Sequence, residues 1–279
     1  MERKERYINP FTDFGFKKLF GTEFNKELLI DFLNQVLSNR ERIRSLSYLN
    51  TENLGNTETD RKAIFDLYCE NEKGEKFIIE LQNVKQQHFK DRSIFYSTFP
   101  IQNQAPKGRE WDYHLKAVYT IGILNFIFPD QAEEDRYSRE VQLIDKETSE
   151  VFYDKLSFIY LEMPKFRKEE DELVNQFDKW MYVLKNLHRL QDRPDKLQEK
   201  VFEKLFSEAE IAKLNPQDMK AYEESLKVYR DNRNVMDYAI ETARSDTRIE
   251  IAKRLKNKGI AFETIAETTG LSKEQIEKL

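Results

Sequence analysis

Apolar residues along the chain follow two different spacings, and the change comes near residue 168. Before it, short runs of β-forming residues interleave with stretches in which apolar positions recur every three or four residues. After it, nearly every segment carries the helical period. Asn9, Pro10, Phe11 and Thr12 lead to Asp13, which reads as a helix cap, and the short helix over 14–20 ends at Gly21. A second helix over 25–37 aligns Leu28, Leu29, Phe32, Leu33 and Val36. Strands are predicted over 63–69, 76–82, 117–125, 137–144 and 157–163, with a helix over 86–98 that stops before Pro100 and a loop over 102–109. The remaining helices are expected over 170–188, 196–206, 216–231, 234–258, 261–268 and 272–279. The sequence has no tandem repeat, low-complexity tract or Gly/Ser linker. The pattern predicts an α/β domain over 1–168 and an all-helical accessory region over 169–279.

The runs 63–69 and 76–82 say most. Between them, Glu72, Lys73 and Gly74 form a three-residue hairpin loop with glycine where a left-handed backbone is required. This loop pairs Asn71 with Glu75 and, counting back along both strands, sets Asp66 opposite Glu80. Strand side chains repeat every two residues, so Gln82 shares their face. Phe65, Leu67, Phe77, Ile79 and Leu81 should point the other way. A slip of one residue would separate the carboxylates, so the constellation depends on the turn.

Composition changes the picture in three places. With 20 Phe and 13 Tyr among 279 residues, the chain can build a packed core despite 35% charged residues. Its single cysteine, Cys69, excludes an internal disulfide and a cysteine-based zinc site, and reads as a buried structural thiol. The amino terminus lacks the apolar core of a signal peptide, and the most apolar stretch, 121–128, is too short to span a bilayer, so a cytoplasmic protein with no membrane partner is expected. The net charge of -5 does not announce a nucleic-acid binder, but its distribution is uneven. Residues 84–116 carry a local +3 and residues 129–172 a local -7, a polarity that suits seating a phosphate backbone and equally suits ordinary solvated surface.

A carboxylate pair on adjacent strands is a hard-oxygen site suited to Mg²⁺, which takes few carboxylates and otherwise keeps water. Such an ion polarises a phosphodiester, lowers the pKa of a bound water and stabilises the leaving oxygen. The pattern Asp66, then Glu80, Leu81 and Gln82, resembles the PD-(D/E)XK nuclease motif with glutamine in the lysine position. The longer runs NPFTDFGFKKLFG (9–21), DRKAIFDLYCENEKGEKFIIELQ (60–82), FKDRSIFYSTFPIQNQAPKG (89–108) and YTIGILNF (119–126) resemble the Rpn-type recombination-promoting nucleases, also described as PD-(D/E)XK nuclease family transposases. The resemblance spans residues 7–165 and is looser in the helical tail.

It implies a restriction-endonuclease-like mixed central sheet flanked by helices, with Mg²⁺-dependent DNA endonuclease activity (Mn²⁺ as an alternative ion) in recombination, mobile elements or defence. Asp66 and Glu80 would be metal ligands, and Gln82 would orient the attacking water. Glutamine carries no charge and cannot stabilise an anion as an ammonium does, so slow or conditional activity is expected, with Lys85 or Lys62 as substitute cations. Arg92 and Tyr96, four apart on one helix face, resemble positions that contact the scissile phosphate; a packed tyrosine beside a solvated arginine is the alternative. Asp13 reads as a helix cap or a distal metal ligand, and Lys17 as a phosphate contact or a solvated lysine.

His88, His114 and His188 lack metal spacing, and no glycine cluster forms a phosphate loop. The tail over 261–279 has a helix–turn–helix look, with Gly270 in the turn and a Ser272/Gln275 capping box. Its balanced charge favours helical packing or homo-oligomer formation over groove entry. The alternative function for the whole chain is a catalytically weak or inactive nuclease-fold module that binds DNA or protein.

Overall fold

The computed structural model describes residues 5–40, 42–53, 63–105, 111–131 and 133–279, so Lys62 lies outside the described residues. The chain divides into two compact units, Met1–Lys227 and Val228–Leu279. In the first, helices α1 (Asp13–Phe20) and α2 (Lys26–Val36) precede strands β1 (Leu46–Tyr48), β2 (Glu52–Asn53) and β3 (Ala63–Ile64). The hairpin β4 (Leu67–Asn71) and β5 (Lys76–Gln82) follows, then helix α3 (Phe89–Gln102). Strands β6 (Val118–Leu124), β7 (Ser138–Ile144) and β8 (Val151–Glu162) lead to helices α4 (Gln176–Asn186) and α5 (Lys200–Glu208). The division between units falls within helix α6 (Pro216–Asn257); α7 (Phe262–Thr269) and α8 (Lys273–Glu277) belong to the second.

Six strands form one mixed sheet in the order β1-β4-β5-β6-β8-β7, while β2 and β3 pair separately. The β5/β6 and β6/β8 neighbours are parallel and the rest antiparallel. Parallel neighbours need a crossover, and α3 lies in the one between β5 and β6. This helix sits close to the sheet: Ser93 Oγ is 2.6 Å from Tyr160 Oη, and Phe89 packs with Leu124, Phe128 and Tyr160. Gly122, opposite Glu80 in the ladder, makes that approach feasible. A Cβ at Gly122 would lie 3.2 Å from Tyr160 Cδ1 and 3.4 Å from Phe89 Cε1.

Helices α1, α2, α4 and α5 build the other main core. Phe20, Phe32, Trp180 and Phe202 touch at ring-centroid separations of 5.2 to 5.7 Å, and Trp180 Nε1 donates to Asp31 Oδ1 at 2.6 Å. The boundary expected at 168 therefore falls inside the first unit, because the amphipathic helices after it cover apolar surface supplied by the helices before it.

The hairpin turn matches its sequence reading. Gly74 has φ +79°, and Asn71 Oδ1 accepts from the Lys73 and Glu75 N–H groups, both at 3.0 Å. Leu67 faces Ile79 and Cys69 faces Phe77, the register expected from the loop. The strand expected over 63–69 is nevertheless broken. The chain bends at Asp66, and Ala63 and Ile64 pair with β2 instead. The bend resets the two-residue alternation, so Phe65 joins Ala63, Tyr68 and Ile78 rather than the Leu67 face.

Thr12, not Asp13, caps α1, accepting the Gly15 N–H at 2.9 Å. Helix α3 continues through Pro100, which is buried; packing at that position offsets the one ladder bond that proline forfeits. The two helices expected over 216–231 and 234–258 are one, since neither glycine nor proline interrupts them. Cys69 is buried, and burial pushes its thiol up to about 12. In the second unit Ala252, Ile265 and Ile276 form a small core with Leu255 and Phe262. Gly270 closes α7 at φ +70°, and the Ser272/Gln275 capping box is present. Among the described residues, no helix is long and apolar enough to cross a membrane.

Candidate active site

Asp66 and Glu80 meet because the bend at Asp66 leaves backbone groups that side chains then satisfy. β4 begins at Leu67, so ladder pairing with β5 ends there. The Leu81 N–H donates instead to Asp66 Oδ2 at 2.7 Å, and the Asp66 N–H donates to Glu80 Oε1 at 3.3 Å. Each carboxylate thus braces the other's strand, and both are fixed before any ligand arrives. Gln82 comes to the same place, its Nε2 lying 3.4 Å from Glu80 Oε2.

From α3, Arg92 Nη2 donates to Glu80 Oε2 at 3.1 Å, and Arg92 Nη1 to Gln86 Oε1 at 2.5 Å. The guanidinium lies over the Phe89 and Tyr96 rings, 5.2 and 5.3 Å from their centroids. Tyr96 packs edge-on against Phe65. Arg92 and Tyr96 therefore share a helix face, as their spacing requires, and that face looks at the carboxylates. Arg92 Nε is buried without an acceptor, so Glu80 and Gln86 do not exhaust this side chain.

The pair is electrostatically costly. Glu80 is only 4% exposed; burial first, and the Asp66 charge second, push its carboxyl up to about 8 against the pull of Arg92. Burial likewise raises Asp66, opposed by the Leu81 N–H; Asp13 pushes it further up, while Lys17 and Arg92 pull it down. Two acids that resist joint ionisation in a buried site make a place where bound positive charge gains most.

The other candidates stand further out. Asp13 and Lys17 form an exposed i,i+4 ion pair at 2.7 Å, near enough to act on Asp66 through space. Lys85 is exposed just beyond β5 and lines a cavity with Gln86. Two positioning residues carried no sequence signal. Gln86 holds the second arm of Arg92, and Asn83 Nδ2 ties the end of β5 to the Phe11 carbonyl at 2.7 Å. Both are common polar types in a loop, and only the fold shows what they reach.

Among the described residues, no three His, Cys, Asp or Glu side chains cluster as a protein-only metal cage. The donor atoms that do meet here are the oxygens of two carboxylates, with the Gln82 amide nitrogen beside one of them. The carboxylate pair suits a hard divalent cation that keeps several waters, and the raised acids are what such an ion would relieve. A family model described as PD-(D/E)XK nuclease family transposase matches residues 10–239. Neither the curated proteins nor the solved structures contain a match to the chain. The mixed six-stranded sheet with flanking helices and a helical C-terminal region accords with that fold.

Proposed function

The chain belongs to the PD-(D/E)XK nuclease family transposases, and on that footing we propose that it is a Mg²⁺-dependent DNA endonuclease centred on Asp66, Glu80 and Gln82. The observation that carries this reading is the reciprocal brace, in which each carboxylate is held by the other's strand and both are pushed towards protonation. A structural role would favour pairing such acids with enough cations or replacing them; a site that needs a divalent ion keeps them. Asp66 and Glu80 would hold the ion, which when bound supplies Lewis-acid polarisation of the phosphate and a more acidic water. Gln82 orients the water through its amide. Arg92 contacts the scissile phosphate with Tyr96 supporting its guanidinium. Lys17 and Lys85 meet flanking phosphates, and Asp13 is a distal ligand candidate.

Water attack on phosphorus with departure of a 3′ or 5′ oxygen leaves no covalent intermediate, so none of these side chains is a nucleophile. Exposed Val235 and Tyr238 on α6 support self-association through the helical region as part of the same reading. Glutamine in place of lysine favours a second reading, a nuclease-fold module that binds DNA without cutting it. The deciding experiment incubates supercoiled plasmid with the protein in Mg²⁺, in Mn²⁺ and in EDTA, beside Asp66→Ala. Nicking that requires both the ion and Asp66 is expected. A wild type inert in both ions, yet binding DNA as tightly as Asp66→Ala does, would select the non-catalytic module.

A further inference from the structure

We propose that the cavity beside Arg92 receives one unpaired nucleobase next to the scissile phosphate, so that the preferred substrate carries a splayed or single-stranded nucleotide at the cut. This rests on the nuclease reading above. The cavity measures about 360 Å³, enough for a base and part of its sugar, and its floor is aromatic: Phe89, Phe126 and Phe128. These rings pack against each other, with Phe89–Phe126 and Phe126–Phe128 edge-to-face at 6.1 and 5.9 Å. Phe126 is half-buried, the least covered of the three. The rim is polar, with Lys85, Gln87 and Lys90 beside Asp91 and Asp130. Among the described residues Lys85 has no ion-pair partner, whereas Lys90 pairs with Asp130 at 2.8 Å.

The link to the carboxylates is direct. Gln86 lines the cavity and accepts from Arg92 Nη1, and the other arm of the same guanidinium reaches Glu80. A phosphate held by Arg92 therefore places its adjoining nucleotide at the cavity mouth. Every base has a face to stack on phenylalanine, and the Gln87 and Lys85 side chains can meet the edges of any base, so the site selects an unpaired state more than a sequence. A duplex nucleotide offers its base to the cavity only after leaving the stack.

The test uses the full chain, with 2-aminopurine as the unpaired base of a bulged duplex, compared with the same strand fully paired. Binding is measured in Ca²⁺ or EDTA, where catalysis does not interfere. The wild type should quench the bulged probe and bind it about tenfold tighter than the paired one, the order expected for stacking a single base. Phe126→Leu, which keeps apolar packing, should bring that ratio close to one, and Phe126→Tyr should retain it. Equal binding of both probes by the wild type, or a preference untouched by Phe126→Leu, would overturn the inference. Plasmid nicking run in parallel keeps the two proposals apart: metal- and Asp66-dependent nicking without a bulge preference removes only the base site, and absence of nicking removes the nuclease reading.

Discussion

Replacing Glu80 with glutamine should make the metal-free protein more stable near neutral pH while abolishing the proposed metal-dependent nicking. In the folded chain the Glu80 carboxyl is raised from an ordinary 4.5 to about 8, first by burial and then by the Asp66 charge. Its folded pKa thus exceeds its unfolded value, so its contribution is fully present below the unfolded pKa and is lost as pH rises through the folded one. At pH 7 the unfolded chain has released this proton and the folded chain has largely kept it, a penalty of about 3 kcal/mol relative to pH 4. Protonated Glu80 and glutamine present the same shape and the same donor problem to Arg92, Gln82 and the Asp66 N–H, so those contacts nearly cancel in the comparison. Glu80→Gln and wild type should therefore melt together at pH 4 and diverge as pH rises. A gain of about 3 kcal/mol corresponds to roughly 6–12 °C for a unit of this size. Adding millimolar Mg²⁺ at pH 7.5 should raise the wild-type melting temperature and leave Glu80→Gln where it was. Circular dichroism melts at four pH values give the answer. A variant less stable than wild type at pH 7, or a difference independent of pH, would mean that Glu80 is a structural carboxylate satisfied by Arg92 and that the electrostatic argument for the site is wrong.

Three further outcomes follow from single contacts. Gln82→Ala should slow nicking about 10- to 100-fold with little change in the Mg²⁺ concentration for half-maximal rate, if the amide orients water as proposed and does not bind the ion; a shift in metal dependence without a rate change would reassign it. Gly122→Val should cost about 1–3 kcal/mol by denaturant titration and also depress nicking, since a side chain there pushes α3 and Arg92 away from the sheet; full activity in a destabilised variant would separate the helix from the site. Asp178 feels burial raising its carboxyl, but hydrogen bonds from Lys168, the Val174 N–H and Tyr137 hold it below its ordinary value. Its stabilisation is thus present above about pH 4 and lost as pH falls through the lower folded value. Asp178→Asn should lower the melting temperature at pH 7, with the difference from wild type shrinking as pH falls through the folded value, as thermal melts from neutral into acid pH would report.

How far the site was legible depended on how local its determinants are. The hairpin register follows from five consecutive residues, Asn71 to Glu75, and glycine at a left-handed position leaves one loop geometry, so the pairing of Leu67 with Ile79, one residue short of Asp66 and Glu80, could be read directly. The bend at Asp66 could not. It arises because Ala63 and Ile64 find a partner in β2, a pairing of two short segments with no periodic signal of their own. The same cause hid β1, three residues long at the sheet edge. Thr12 displaced Asp13 as the α1 cap by one residue, within the usual uncertainty of helix ends. The change of period near residue 168 falls inside the first unit for a different reason: it marks a change of secondary structure, and α4 and α5 join the first core through Trp180 and Phe202, which sequence spacing alone does not reveal.

Helix α3 joins these observations into one argument. Its inner side is fixed by Gly122, Ser93 and Phe89 against the sheet, and its next residues carry Arg92 to the carboxylates and Tyr96 to Phe65. Arg92 is the only described cation bonded to Glu80, so the position of one helix sets how much of the carboxylate repulsion is relieved without a metal. A phosphate arriving at Arg92 would draw the guanidinium away from Glu80 and leave the acids more in need of a divalent ion. Substrate and metal binding should then reinforce each other through this arginine. The absence of a lysine at position 82 matters in that light, because a fixed ammonium there would relieve the acids in every state, whereas Arg92 does so only until substrate competes for it.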